Sequence, residues 1–162
     1  MLADKTTGQA CRRGYVKLNG REVFEASVCS NAGARRGTNI LKIDPFACTV
    51  SEPPNHFDTF GSTAESNSLR DYINDNSLVN GSVLVGLSSG NATKNLQSAY
   101  GALKDKLGVH VDNVQSGGAF AFIAVKNHAK TLSDKAINRA MSDSSPARVS
   151  GAFTGTLSLH VL

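Results

Sequence analysis

Short apolar segments separated by Gly, Pro and Asn run through the first third of the chain. Residues 15 to 24, "YVKLNGREVF", place two such segments around Asn19-Gly20, the preferred pair of a two-residue hairpin turn. They predict two strands. "TNILKID" (38 to 44) predicts a third strand, ended by Pro45 because proline cannot donate to a ladder. Cys48 to Ser51 predicts a fourth, stopped at Pro53-Pro54, after which "HFDTF" resumes extended chain. The period then changes. Leu69, Tyr72 and Ile73 share a helical face over about residues 66 to 75, with Ser66 or Asn67 as N-cap. Gly81 releases the chain into "SVLVGLSS", a continuous apolar run expected of a strand covered on both faces.

From Thr93 to Leu107, the residues Leu96, Ala99, Tyr100, Leu103 and Leu107 mark a second helical face, and Gly108 stands where a C′ glycine belongs. "AFAFIAVK" (119 to 126) predicts another buried strand. Ala136, Ile137, Ala140 and Met141 predict a third helix over about 133 to 141, and the alternating tail, about 152 to 162, a closing strand. Strands and helices interleave along one chain, so the expected fold is α/β (α+β), a mixed sheet assembly with about three packed helices. No repeat or low-complexity linker divides it, and residues 1–162 are expected to form a single domain.

Composition narrows the possible functions. With 40% hydrophobic and 19% charged residues the chain has enough apolar content for a core. A net charge of +4 is too small for a phosphate-binding groove, so nucleic acid is not an expected partner. The basic pairs Arg12-Arg13 and Arg35-Arg36 read as solvated loops. No segment has the roughly 20 apolar residues of a membrane helix. The opening "MLADKTTGQA" is too polar for a signal peptide, which leaves the compartment open. Cys11, Cys29 and Cys48 lack the spacing of a zinc site. Cys11 and Cys29 flank the hairpin and are candidate disulfide partners, with Cys48 free or paired between chains. Three buried thiols are the alternative.

"NHFDTFGS" (55 to 62) gathers His56, Asp58 and Ser62, the residue types of a hydrolytic triad. Ser62 lacks the G-x-S-x-G turn that exposes a nucleophile beside an oxyanion hole, and Asp58 and Thr59 are better suited to capping a turn. No catalytic residue is expected. His56, His110, His128 and His160 are scattered without metal-ligand spacing, so neither a metal nor a cofactor is expected. "SSGNATK" (88 to 94) and "VQSGGA" (114 to 119) are small polar loops beside buried strands; such loops suit the hydroxyl-rich edge of a sugar, and plain turns are the equal alternative. Asn80-Gly-Ser82 and Asn91-Ala-Thr93 are N-glycosylation sequons.

"RRGTNILKID", "HFDTFGS", "GSVLVGLSSGNATKNL", "LKDKLG" and "FAFIAVKN" follow one another in an order and spacing that resemble the GG domain, or interleukin-like EMT inducer domain, over about residues 35 to 128. That family includes secreted cytokine-like proteins, cell-surface hyaluronidase-type proteins and the stem of protein O-mannose N-acetylglucosaminyltransferase. The resemblance implies a compact two-sheet sandwich with helices, no catalysis by the domain, and, by likeness to the stem, recognition of a β-linked N-acetylglucosamine.

The departures concern charge. Ser89 and Gly90 stand where the family carries acidic residues before "PATK", and Asn91 replaces the proline. Gly117, Gly118, Ala119 and Phe120 stand for "RD-x-W", and Asn55 takes the place of the basic residue ahead of "FD". The resemblance therefore implies a sugar site rebuilt, apart from the Asp58 carboxylate, from neutral groups: Asn55, Asp58, Ser88, Ser89, Gly90, Asn91, Gln115, Ser116 and Gly117. Neutral hydrogen bonds contribute less than charge-assisted ones, so avidity from a homo-oligomer is expected. The expected function is a secreted lectin for N-acetylhexosamine or chitooligosaccharide glycans. A cytokine-like protein acting through a receptor is the alternative.

Overall fold

The computed structural model describes residues 2–3, 10–29, 35–127, 133–137, 149–153 and 157–161. The strands in chain order are β1 (Leu2–Ala3), β2 (Ala10–Leu18), β3 (Arg21–Cys29), β4 (Gly37–Asp44), β5 (Thr49–Val50), β6 (Asn55–Phe57), β7 (Val83–Ser89), β8 (Ala119–Val125), β9 (Ser133–Ile137), β10 (Val149–Phe153) and β11 (Leu157–Val161). Helix α1 spans Thr63–Asn74 and α2 spans Tyr100–Leu107, the latter preceded by a 3-10 turn at Gln97–Ala99.

The strands form two antiparallel sheets. In the first, β2 pairs with β1, β3 and β11, and β11 with β10. The second has the order β5-β4-β7-β8-β9, with β6 also on β4. The second sheet lies between two apolar layers, and its residues divide between them with the period of two that a pleated strand imposes. Ile40, Leu84, Phe120, Phe122 and Ala124 join Leu69 and Ile73 of α1 and Leu103 and Leu107 of α2. Leu41, Ile43, Val83, Val85, Leu87 and Ile123 join Val16, Leu18, Phe24 and Ala26 of the first sheet. This explains the unbroken apolar runs of β7 and β8: both of their faces are covered. At the centre, Gly86 opposes Phe122 across the β7–β8 ladder, and a Cβ at Gly86 would lie 2.2 Å from the Phe122 ring.

The Asn19-Gly20 turn forms as expected, with φ of 49° and 78°, and its strands extend beyond residues 15 to 24. Arg12 and Arg13 lie within β2 rather than in a loop. Helix α1 begins earlier than predicted. Ser62 is its N-cap, accepting from the Glu65 amide, and Ser66 is buried inside the helix. Helix two begins later, because residues 93 to 96 are held in turns by the neighbouring loops. It stops where predicted, at Gly108 with φ of 69°.

The third helix is corrected. Residues 133 to 137 form β9, pairing Ala119 with Ile137 and Ile123 with Ser133, so pairing at the edge of β8 overrides a weak helical pattern. Residues 138 to 141 lie outside the described residues. The closing strand is one arm of a hairpin, β10–β11, and β11 pairs with β2. No helix among the described residues is long and apolar enough to cross a membrane.

Candidate functional site

One end of the second sheet collects the "RGTN", "FDT", "SSGNATK" and "VQSGGA" segments. Gly37 opposes Ser89, Thr38 opposes Phe57, and Leu87 opposes Ala121. The start of β4, the ends of β6 and β7 and the start of β8 therefore meet there. Gly37 has φ of +107°, and a Cβ on it would fall 2.2 Å from the Phe57 carbonyl, a position only glycine fills.

A buried hydrogen-bond chain then joins the loops. Thr38 donates to the Thr59 hydroxyl at 3.0 Å, and Thr59 donates to the Ala92 carbonyl at 2.7 Å. Asn95 donates from its amide to the Thr59 carbonyl at 3.1 Å and from its side chain to the Phe60 carbonyl at 2.7 Å. Asn39 donates to the Arg35 carbonyl at 2.9 Å. The "RGTN", "FDT" and "ATK" motifs are thus three parts of one scaffold.

Arg36 carries the charge of this end. Its Nε donates to Asp58 Oδ1 at 3.0 Å and its Nη2 to Asp58 Oδ2 at 2.5 Å, the two-pronged geometry that favours arginine over lysine. The Asp58 carboxyl is held below its usual range first by the Arg36 hydrogen bond, with help from the Gly61 amide and against its partial burial. The guanidinium lies 4.4 Å from the Phe60 ring centroid, and the Lys94 ammonium lies 4.7 Å from the same ring. The pair Arg35-Arg36 is therefore not a solvated loop: Arg36 is committed to Asp58 and Phe60, and Arg35 lies 5.4 Å from the Phe24 ring. Sequence reading missed Arg36, Phe60 and Lys94. Arg36 and Asp58 are 22 positions apart, and only the β4–β6 pairing joins them.

The triad residues are all engaged elsewhere. His56 Nε2 donates to the Arg36 carbonyl at 2.6 Å, Asp58 binds Arg36, and Ser62 caps α1. They form no proton relay. Among the described residues no three His, Cys, Asp or Glu side chains are grouped to hold a metal. His128 lies outside those residues.

The nine candidate sugar-binding residues separate into three groups. Ser88, Ser89, Gly90 and Asn91 face the 115–118 turn, and Asn91 fastens the two together. Its Nδ2 donates to Ser116 Oγ at 3.2 Å, and its Oδ1 accepts from the Gly117 amide at 2.8 Å and from Thr93 Oγ1 at 3.3 Å. The Thr93 hydroxyl shares its single hydrogen between that oxygen and the Gln115 carbonyl, which lies at 3.1 Å. Asn91 is therefore a brace, and an open loop surface is offered by Gln115 and Ser116, which are exposed. Ser88 Oγ accepts from the Phe120 amide at 2.8 Å, Ser89 is buried, and Gly90 and Gly117 shape the turns with φ of 69° and 84°. Asp58 belongs with Arg36. Asn55 stands apart, opposite Ile40, and approaches the Tyr72 hydroxyl without a bond of ordinary geometry. Burial, then the Glu52 charge, pushes that phenol up to about 12.

This end offers rigid amide and hydroxyl groups bordered by a cation–aromatic cluster. Residues 36–128, more than half of the chain, match the family model described as interleukin-like EMT inducer. The match begins at Arg36, so it takes in the Arg36–Asp58 clasp, the threonine chain and both polar loops. A comparison with curated proteins finds no match. The chain belongs to the interleukin-like EMT inducer family.

Proposed function

We propose that the protein is a secreted, non-catalytic lectin for glycans carrying N-acetylhexosamine. The observation that carries this reading is the pairing of two neutral polar loops, 88–91 and 115–117, held in fixed relation by Asn91 at the end of a buried sheet. Gln115 and Ser116 present a carboxamide and a hydroxyl on that rigid support, and these groups match the donors and acceptors of sugar hydroxyls and an acetamido group. Neutral contacts of this kind give weak binding at one site, so the working form is a homo-oligomer whose several sites act together. Agglutination of red cells, inhibited by N-acetylglucosamine or N-acetylgalactosamine oligomers, is the expected behaviour. Agglutination that no saccharide inhibits would count against sugar recognition.

Secretion has its own support in the β2–β3 ladder, which sets Cys11 directly opposite Cys29. Opposed residues of an antiparallel pair have Cα atoms about 4.5–5.5 Å apart, within the span of a disulfide, and such bonds persist outside the cytosol.

A second reading is cytokine-like signalling through a protein receptor, as the family's description suggests. It is favoured by Phe46, which is 92% exposed on a turn that Asp44 fixes by accepting from the Phe46 and Ala47 amides at 2.8 and 3.0 Å. A rigid, exposed aromatic of this kind suits a protein interface.

A further inference from the structure

The opposite end of the same sheet holds a polar cleft of about 470 Å³, lined by Asn74, Asn76, Asn80, Asn127, Lys106 and Lys126 with Leu78 and Val79. It lies beyond Val83 and Val125, which pair at the far end of the β7–β8 ladder from Ser89 and Ala119. The length of β7 separates the two ends by about 20 Å.

Backbone hydrogen bonds hold the cleft's walls together. Asn127 donates to the Lys106 carbonyl at 2.7 Å, Lys126 to the Ser82 carbonyl at 2.9 Å, and Gly81 to the Lys126 carbonyl at 2.9 Å. The Asn127 side chain bonds Asn80 across the rim.

Lys126 is the unusual group. The residue is only 3% exposed, yet its one side-chain hydrogen bond among the described residues goes from Nζ to the Asp75 carbonyl, at 2.6 Å. An ammonium has three hydrogens to donate, and no carboxylate oxygen among the described residues lies within 4.0 Å of this one. The nearby Asp75 carboxylate accepts from the Ser77 amide at 2.8 Å. Burial lowers the Lys126 pKa, Asp75 acts against this, and Lys106 lowers it further. Capping the C-terminal carbonyls of α1 accounts for one hydrogen of Lys126. It does not account for a second lysine and four asparagines around the same cavity.

We propose that this cleft is a second ligand site, for a small anionic saccharide. A carboxylate or sulfate group would sit between Lys126 and Lys106, with sugar hydroxyls on the asparagine carboxamides. A lysine with no carboxylate in ion-pair contact gains most from an anion that brings one. The site is independent of the neutral loops at the other end, and with them it makes each chain bivalent.

The test is a two-dimensional NMR titration of the full chain with galacturonate, galactose 6-sulfate and galactose. The expected result is saturable shifts at the Lys106, Lys126 and Asn127 amides with one or both charged sugars and not with galactose. Which charged sugar binds identifies the group recognised. Lys106→Gln should weaken binding about tenfold, the worth of one charge-assisted contact, while Ser116→Ala leaves it unchanged. The inference is overturned by an absence of saturable shifts, by equal binding of galactose, or by undiminished binding in folded Lys106→Gln. If Lys126→Met lowers thermal stability while Lys106→Gln binds normally, Lys126 is a helix cap only.

Discussion

Two side-chain arrangements decide most of what individual residues do here. The first is the Gly86–Phe122 contact. A methyl group at Gly86 would meet the Phe122 ring at 2.2 Å in a core where both neighbouring layers are closed. Gly86→Ala should therefore cost about 1–3 kcal/mol in urea unfolding, and adding Phe122→Leu should recover part of the loss. A neutral result for Gly86→Ala would mean that the ring can move aside.

The second is the Arg36–Asp58 clasp. The folded carboxyl has a lowered pKa because Arg36 binds it. Its contribution is therefore present above the unfolded Asp pKa, near 4, and is lost as pH falls through the folded value. The side chains are 24% and 31% exposed, so the contribution should be about 1 kcal/mol or less. Asp58→Asn should lower stability at pH 7 by that amount and flatten the fall in stability below pH 4. An unchanged acid limb in the variant would show that other carboxylates set it. Asp58 and Ser62 were visible in the sequence as chemistry-bearing types, and their use as clasp and cap was not, because each depends on a partner placed by the fold.

At the scale of elements, the legible features were those with strong local chemistry. Asn19-Gly20 closed its hairpin, Pro45 marked the end of β4, and Gly108 ended α2. The apolar runs of β7 and β8 revealed strands covered on both faces. Elements set by neighbours were harder to see. The start of α2 is delayed because Thr93 and Asn95 bond across to the 115 and 60 loops, and residues 133 to 137 pair with β8 instead of coiling. The β2–β3 register carries a prediction of its own. With Cys11 opposite Cys29 and Cys48 a free, half-buried thiol, thiol titration of the denatured, unreduced protein should find one thiol per chain, and three after reduction. Three thiols before reduction would remove the disulfide and with it a support for secretion.

For the whole molecule, the second sheet works as a rigid beam whose two ends differ. One end carries two neutral polar loops braced by Asn91 beside the Arg36–Asp58 clasp; the other is a lysine-lined cleft. The family motifs were legible as motifs, and their meaning changed once they were seen in place. "RGTN", "FDT" and "ATK" bond chiefly to one another, so they mark the scaffold, while the proposed ligand contact falls to Gln115 and Ser116 in a loop with no motif of its own. Asn91→Ala would loosen that loop, making it a poor probe of ligand contact. The direct test is a glycan array with the wild-type chain and the double variant Gln115→Ala/Ser116→Ala, both checked for equal thermal stability. Binding to N-acetylhexosamine-terminated glycans, at least tenfold weaker in the variant, is the expected result. A blank array with folded wild-type protein, or equal binding by the variant, would contradict sugar recognition at this end of the sheet.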